Sequence, residues 1–319
     1  MYLYQLYSAT GKISEYCQKL ESICALSGED IVKTINTKEN KEILEYDAVK
    51  HIKFKDLDTA LEYNKYCYFV TSLEDLFEEY DKDEIDLSYW DVHNVINMNS
   101  VFNGSGLKTI NLTGWEVNNV EYASYMFGGC TELTNIIGFE KLNFKKLTEA
   151  SHMFSNCENL KSIDLIALKD TKLETMDDMF EGCKNLEEIK NLDKLNTHNV
   201  KTTKDMFYVC KKLKDFSALK NMDLFNLENA SGMFSESGIK SIKPFINWNV
   251  VNIEDMQEMF AYCKDLEDAD ELKNWPVHNM INLSGMFNGV YPTPYWYRDD
   301  NYWYEVEIAR KEAEKRQKK

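Results

Sequence analysis

Between residues 70 and 290 apolar positions recur in a fixed order with polar residues between them. The most regular landmark is a pair ending in Phe: Leu76-Phe77, Val101-Phe102, Met126-Phe127, Met153-Phe154, Met179-Phe180, Met206-Phe207, Met233-Phe234, Met259-Phe260 and Met286-Phe287. Successive rings lie 25, 25, 27, 26, 27, 27, 26 and 27 positions apart. A second bulky residue stands 12 positions before eight of these nine rings: Trp90, Trp115, Leu142, Leu168, Leu195, Met222, Trp248 and Trp275. That spacing never changes, whereas 5 or 6 residues separate a Phe from the next apolar landmark (Leu107, Leu133, Leu160, Leu186, Leu213, Ile239, Leu266). Packed segments resist insertion and surface loops absorb it, so the invariant stretch marks the packed element.

Two elements per unit follow from the periods. Val95, Met98 and Phe102 lie at i, i+3 and i+7, as do Val120, Ala123 and Phe127, and Ile253, Met256 and Phe260; this stripe predicts one or two turns of helix. Leu107-x-x-Ile110-x-Leu112 and Leu160-x-x-Ile163-x-Leu165 alternate with period two, predicting a strand of about three to five residues. Asn precedes the stripe at Asn94, Asn119, Asn199, Asn226, Asn252 and Asn279, where its side chain would accept a bond from an unpaired N–H at a helix start. With 29 Asn against 13 Gly, Asn takes over much of the turn-making usual for Gly.

A unit of 26 residues cannot bury its apolar stripe alone, so the units must stack. The expected fold is an α/β solenoid of leucine-rich-repeat type, with parallel strands on one face, short helices on the other, and caps at both ends. Residues 1–69 carry no repeat; Ile13, Tyr16, Cys17, Leu20 and Ile23 form a helical stripe suited to an N-terminal cap or small helical domain. The solenoid spans 70–290, an aromatic C-terminal cap 291–304, and a charged helical tail 305–319, whose Glu307–Lys311, Glu312–Arg316 and Glu314–Lys318 pairs are spaced i, i+4.

The order Leu-x-x-Ile-x-Leu, then Trp, Asn-Val, Met-Phe and a Cys three residues after the Phe resembles the BspA-like leucine-rich-repeat family. Cys130, Cys157, Cys183, Cys210 and Cys263 match the family's Cys position, and Ser105, Ser237 and Val290 replace it. The resemblance implies a leucine-rich-repeat solenoid without catalytic activity, similar to bacterial surface molecules that bind host matrix components or other cells.

Composition narrows the partners. Against 54 acids stand 37 Lys and Arg, and the net charge of -17 repels phosphate backbones and anionic lipid headgroups, which argues against nucleic acid. No apolar run reaches the roughly 18 residues of a membrane span. The start of the chain shows no secretory signal, because Gln5, Ser8, Thr10, Lys12 and Glu15 interrupt it; this favours the cytoplasm, whereas the resemblance favours the cell surface.

No motif for hydrolysis, group transfer or phosphate binding is present, so no catalytic residue, metal ligand or cofactor is expected; the enzyme alternative would require an unrecognised site in residues 1–69 or between that cap and the repeats. The repeated cysteines are about 26 residues apart rather than paired, which suits buried thiols better than a metal site. His93, His198 and His278 share one position with Asn118, Lys145, Thr171, Phe225 and Val251, a mixture that suggests a tolerant surface lane.

If Ile110 and Leu112 point inward, their neighbours point outward and form two lanes across the strand face. One runs Glu84, Thr109, Asn135, Ser162, Glu188, Asp215, Ser241, Asp268; the other runs Asp86, Asn111, Ile137, Asp164, Lys190, Ser217, Lys243, Asp270. Repeat proteins commonly bind along such a face. Glu84, Asp86, Asn111, Asp164, Glu188, Lys190, Asp215, Lys243, Asp268 and Asp270 are therefore the candidate contacts for a protein or other macromolecular ligand.

Overall fold

A parallel ladder runs the length of the repeats. In the computed structural model, which describes residues 70–277 and 282–297, consecutive coils are bridged at Ser72, Asn97, Tyr122, Glu149, Thr175, Thr202, Asn229, Asp255 and Asn282, each paired in parallel with the next. A second ladder comprises β1 (Glu84–Asp86), β2 (Thr109–Asn111) and β3 (Asn135–Ile137) in one sheet and β4 (Ser162–Asp164) and β5 (Glu188–Lys190) in another, all parallel. Among the described residues nine coils thus stack in a solenoid-like repeat.

The helices expected on the second face are not there. Among the described residues the helices are short 3₁₀ segments (Phe139–Lys141, Leu165–Leu168, Leu192–Lys194, Ser217–Asn221, Lys243–Phe245, Asp270–Asn274), and they lie after the strand rather than in the Val-x-x-Met stripe. In the stripe, backbone N–H groups alternate in direction. Those of Met98, Ser100, Phe102 and Gly104 donate to Tyr122, Ser124, Met126 and Gly128 carbonyls of the next coil at 2.8, 2.8, 3.0 and 2.8 Å. Those of Val101, Asn103 and Ser105 turn back to Met98, Ser100 and Phe102 in their own coil.

Successive three-residue turns bring positions i, i+3 and i+7 inward just as a helix would, which is why the period misleads. A helix would spend its N–H groups internally, whereas this arrangement ties coil to coil. The sequence also disfavours a helix: stretches such as Asn97-Met98-Asn99-Ser100 and Asn229-Ala230-Ser231-Gly232 are rich in residues of low helix propensity.

The turns require left-handed backbone at two places per coil. Two residues before the Phe these are Asp75, Ser100, Tyr125, His152, Asp178, Asp205, Gly232, Glu258 and Gly285, and two residues after it they include Gly104, Gly129, Asn156, Gly182, Val209 and Tyr262. Non-Gly residues at such φ values are uncommon, and only the repeated turn explains so many here.

The core is a set of stacked columns. Phe77, Phe102, Phe127, Phe154, Phe180, Phe207, Phe234 and Phe260 are fully buried, and consecutive rings from Phe77 to Phe287 stack at centroid separations of 5.4, 5.5, 5.4, 5.4, 5.8, 5.7, 5.4 and 5.6 Å. Trp115, Trp248 and Trp275 stand at the same position of their coils, with each indole Nε1 donating to a carbonyl of the preceding coil (Leu87, Leu219 and Phe245) at 2.8, 3.0 and 3.0 Å. Trp296 repeats the bond to Leu272 at 3.1 Å, and Trp296 and Tyr297 pack on Phe287, while Tyr291 and Tyr295 are exposed. The N-terminal stripe, the tail from 305, and Tyr302 to Tyr304 lie outside the described residues.

The Asn column also differs from its expected role. Asn119, Asn226 and Asn252 donate Nδ2 to the His93, His198 and Phe225 carbonyls of the preceding coil at 2.8, 2.6 and 2.8 Å. They act as donors between coils, not as acceptors at a helix start.

Candidate functional site

The strand face is built as the alternation requires. Ile110 and Leu112 are fully buried, and Glu84, Thr109 and Asn135 align across β1 to β3, as do Asp86, Asn111 and Ile137. On the second sheet Ser162 aligns with Glu188 and Asp164 with Lys190. The structure therefore brings Glu84, Asp86 and Asn111 together on one sheet and Asp164, Glu188 and Lys190 on the other.

The remaining candidates, Asp215, Lys243, Asp268 and Asp270, do not sit on strands. The cause is a shifted turn. In the early coils the side chain that ends the strand is in the second lane: Asp86, Asn111 and Asp164 accept from the Ser88, Thr113 and Ile166 N–H groups at 3.0, 3.1 and 3.0 Å. In the later coils it has moved to the first lane, where Asp215, Ser241 and Asp268 accept from Ser217, Lys243 and Asp270 at 2.8, 3.3 and 2.9 Å. Such local bonds compete with a ladder, so the strand gives way to a 3₁₀ segment.

Much of the acid on this face consequently has a structural task. Asp164 also accepts from Asn191 Nδ2 at 2.6 Å, and the Ser88 hydroxyl beside Asp86 helps hold its carboxyl below the usual range. Glu84, which lacks such a turn bond, is exposed at the first coil. Lys190 approaches Glu188 at 3.6 Å as an exposed pair, and Lys243 approaches the half-buried Glu271 at 3.9 Å.

The repeated cysteines face the interior. Sγ of Cys130, Cys157, Cys183, Cys210 and Cys263 donates to the Phe carbonyl of the preceding coil at 3.0 to 3.1 Å. Burial pushes the Cys130 thiol up to about 11 and those of Cys183 and Cys263 up to about 12, far from the thiolate that metal binding or redox chemistry needs. Cys17, Cys24 and Cys67 lie outside the described residues.

The histidine lane does not converge. His93 meets Asp91 within its own coil at 2.6 Å, His198 meets Asp223 of the next coil at 2.9 Å, and His278 lies outside the described residues. One member of that lane corrects the surface reading: Thr171 is buried, its hydroxyl donating to the Leu168 carbonyl at 2.8 Å. A pocket lined by Met176, Leu192, Leu195, Met206, Leu219 and Met222 opens where Leu195 and Met222 stand in place of Trp; its lining contains Asp193 but neither His nor Cys.

Sequence reading missed one group altogether. Tyr125, His152, Asp178 and Asp205, all two residues before a Phe, stand in one column, with the Tyr125 and His152 rings stacked at 4.2 Å and His152 Nε2 3.4 Å from Asp178 Oδ2. Their shared signal is the left-handed backbone, which residue identity does not reveal.

These features define a repeat protein: among the described residues, a stack of coils with polar faces held together by ladders. The chain belongs to the family described as "Mycoplasma protein of unknown function, DUF285", whose model matches residues 53–167, 135–243 and 229–292. No curated protein matches.

Among solved structures, a leucine-rich repeat protein from Bacteroides ovatus is 18% identical with a TM-score of 0.22, covering 54% of this chain and 58% of its own. A leucine-rich repeat protein from Eubacterium ventriosum is 15% identical with a TM-score of 0.27, covering 68% and 67%. A leucine rich cell surface protein from Faecalibacterium prausnitzii is 14% identical with a TM-score of 0.25, covering 69% and 74%. This chain thus spans little more than half the length of the first. At these scores the fold rests on the ladders described above.

Proposed function

We propose that this protein is a non-catalytic binding module whose strand face meets a protein or other macromolecular ligand. The observation that carries the reading is register: successive coils place equivalent polar side chains side by side on a stacked support, as in Glu84–Thr109–Asn135 and Ser162–Glu188. A rigid array of this kind lowers the ordering cost of binding and lets many modest contacts add. The BspA-like resemblance favours adhesion at a cell surface, with an intracellular scaffold as the alternative; protease shaving of intact cells separates the two.

The contacts are best tested at residues free of turn duty. Charge reversals at Glu84, Glu188 and Asp270 in the full chain should weaken capture of a partner purified from native lysate, whereas the same change at Asp164 would also disturb its turn and the Asn191 bond. Capture unaffected by all three reversals would remove the strand face from consideration. Among the described residues no helix is long and apolar enough to cross a membrane.

A further inference from the structure

The column beside the Phe ladder has a physical property of its own. Asp178 is largely enclosed, and Asp177 and Glu181 of its own coil and Asp205 of the next all bear on it with the same charge, opposed by Lys204. Asp205 in turn faces Lys204, Glu181, Asp177 and Glu258. Part of this charge is committed elsewhere: Asp177 accepts from the Thr202 hydroxyl at 2.6 Å and the Lys204 N–H at 2.8 Å, while Glu181 accepts from the Ser155 hydroxyl and, at 2.8 Å, from Asn156 Nδ2. On the other side of Asp178, His152 lies 3.4 Å away beneath Tyr125 and is also within the field of Glu181, Asp177 and Lys204.

We propose that the column Tyr125–His152–Asp178–Asp205 is a proton-operated lock on the stack: a proton taken up by the Asp178 carboxyl relieves the carboxylate repulsion across the fifth and sixth coils and tightens them. The proton comes from solvent and stays on that carboxyl, so no other species changes. The amides that register the lock are those joining the two coils, where the N–H groups of Asp178, Phe180 and Gly182 donate to the Lys204, Met206 and Tyr208 carbonyls at 2.8, 2.9 and 2.8 Å.

The sign follows from linkage. Burial, then Asp205, Asp177 and Glu181, raise the Asp178 carboxyl from 3.8 to about 6. Its ionisation therefore opposes folding above that value, and the opposition fades as pH falls from about 6 toward 3.8. His152 acts in the other direction: burial lowers it from 6.5, so its stabilising neutral form is lost as pH falls below that range. Asp205, also raised by burial, adds to the Asp178 effect.

Amide hydrogen exchange on the full-length protein tests the lock, with rates corrected for their intrinsic pH dependence. In His152→Gln, where the opposing imidazole is gone, protection of Asp178, Phe180 and Gly182 should rise about tenfold between pH 7.5 and 5.0, as a shift of this size requires; in wild type the protonation of His152 offsets part of that rise. Asp178→Asn should already show raised protection at pH 7.5 and should lose the rise on acidification. An equal pH response in wild type and Asp178→Asn, or flat protection in His152→Gln, overturns the proposal. Carbon-detected NMR of wild type gives an independent check: an Asp178 carboxyl titrating near 6 supports the lock, and one titrating at the ordinary carboxylate value overturns it.

Discussion

Truncating Phe154 to Ala removes one ring from the middle of the ladder. The ring is fully buried, stacked on Phe127 and Phe180 at 5.4 Å each, and met edge-on by Phe139 at 5.5 Å. A buried Phe-to-Ala change costs about 3–5 kcal/mol, since the lost transfer energy is joined by a cavity that a stacked core refills poorly. Set against a typical total of about 5–15 kcal/mol, this is a large fraction. Urea unfolding followed by circular dichroism, with the slope checked for constancy, gives the number.

The ladder makes a sharper claim about coupling. Phe154→Ala combined with Phe180→Ala should deviate from additivity by about 0.5–3 kcal/mol, because each ring forms part of the other's cavity wall. Combined with Phe260→Ala, four coils away, it should add within about 0.5 kcal/mol. A single-mutant cost below about 1 kcal/mol, far under the core range, or the same coupling for near and distant pairs, would refute a contiguous column.

Three further outcomes follow from the turns and columns. Val209, a β-branched residue at φ 60 where Gly104, Gly129 and Gly182 stand in other coils, should gain stability on Val209→Gly. Relief of about 1–2 kcal/mol of left-handed strain exceeds the added chain entropy of about 0.5–1 kcal/mol, and a lowered thermal midpoint would contradict this. Asn119→Asp should destabilise more than Asn119→Ala, since a carboxylate would face the His93 carbonyl with no proton to donate; equal midpoints would remove the Asn column's role as donor. At pH 8 the native protein should leave Cys157, Cys183 and Cys210 unalkylated by iodoacetamide, and urea should expose all three; rapid native labelling in peptide maps would contradict their burial.

The repeat was legible because spacing alone reports a packed column: twelve residues from Trp248 to Phe260, or from Leu142 to Phe154, admit no insertion. The helix was misread because a run of three-residue turns and a helix bury the same positions, and Val95, Met98 and Phe102 cannot distinguish them by period. The clue lay in the intervening residues, such as Asn97, Asn99 and Ser100, which suit turns and weaken helices. The lanes of the strand face were correct in register within each sheet, from Glu84 to Ile137 and from Ser162 to Lys190. Their later loss of strand was carried by a small change, the move of the turn-forming side chain from the second lane (Asp164) to the first (Asp215). The candidate acids were chosen for charge, while the structure uses Asp86, Asp164, Asp215 and Asp268 to hold backbone turns. Tyr125, His152 and Asp178 share a conformation rather than a chemistry, so nothing in their identities drew them together.

The account stands or falls on the stacking of successive coils in one register. Selective ring labelling of phenylalanine with assignment by single substitution allows proton–proton contacts between rings to be read in solution. Phe154 should show direct contacts to Phe127, Phe180 and Phe139, and none to Phe207 or Phe260. Contacts from Phe154 to a ring several coils away, or none to Phe127 and Phe180, would contradict the solenoid.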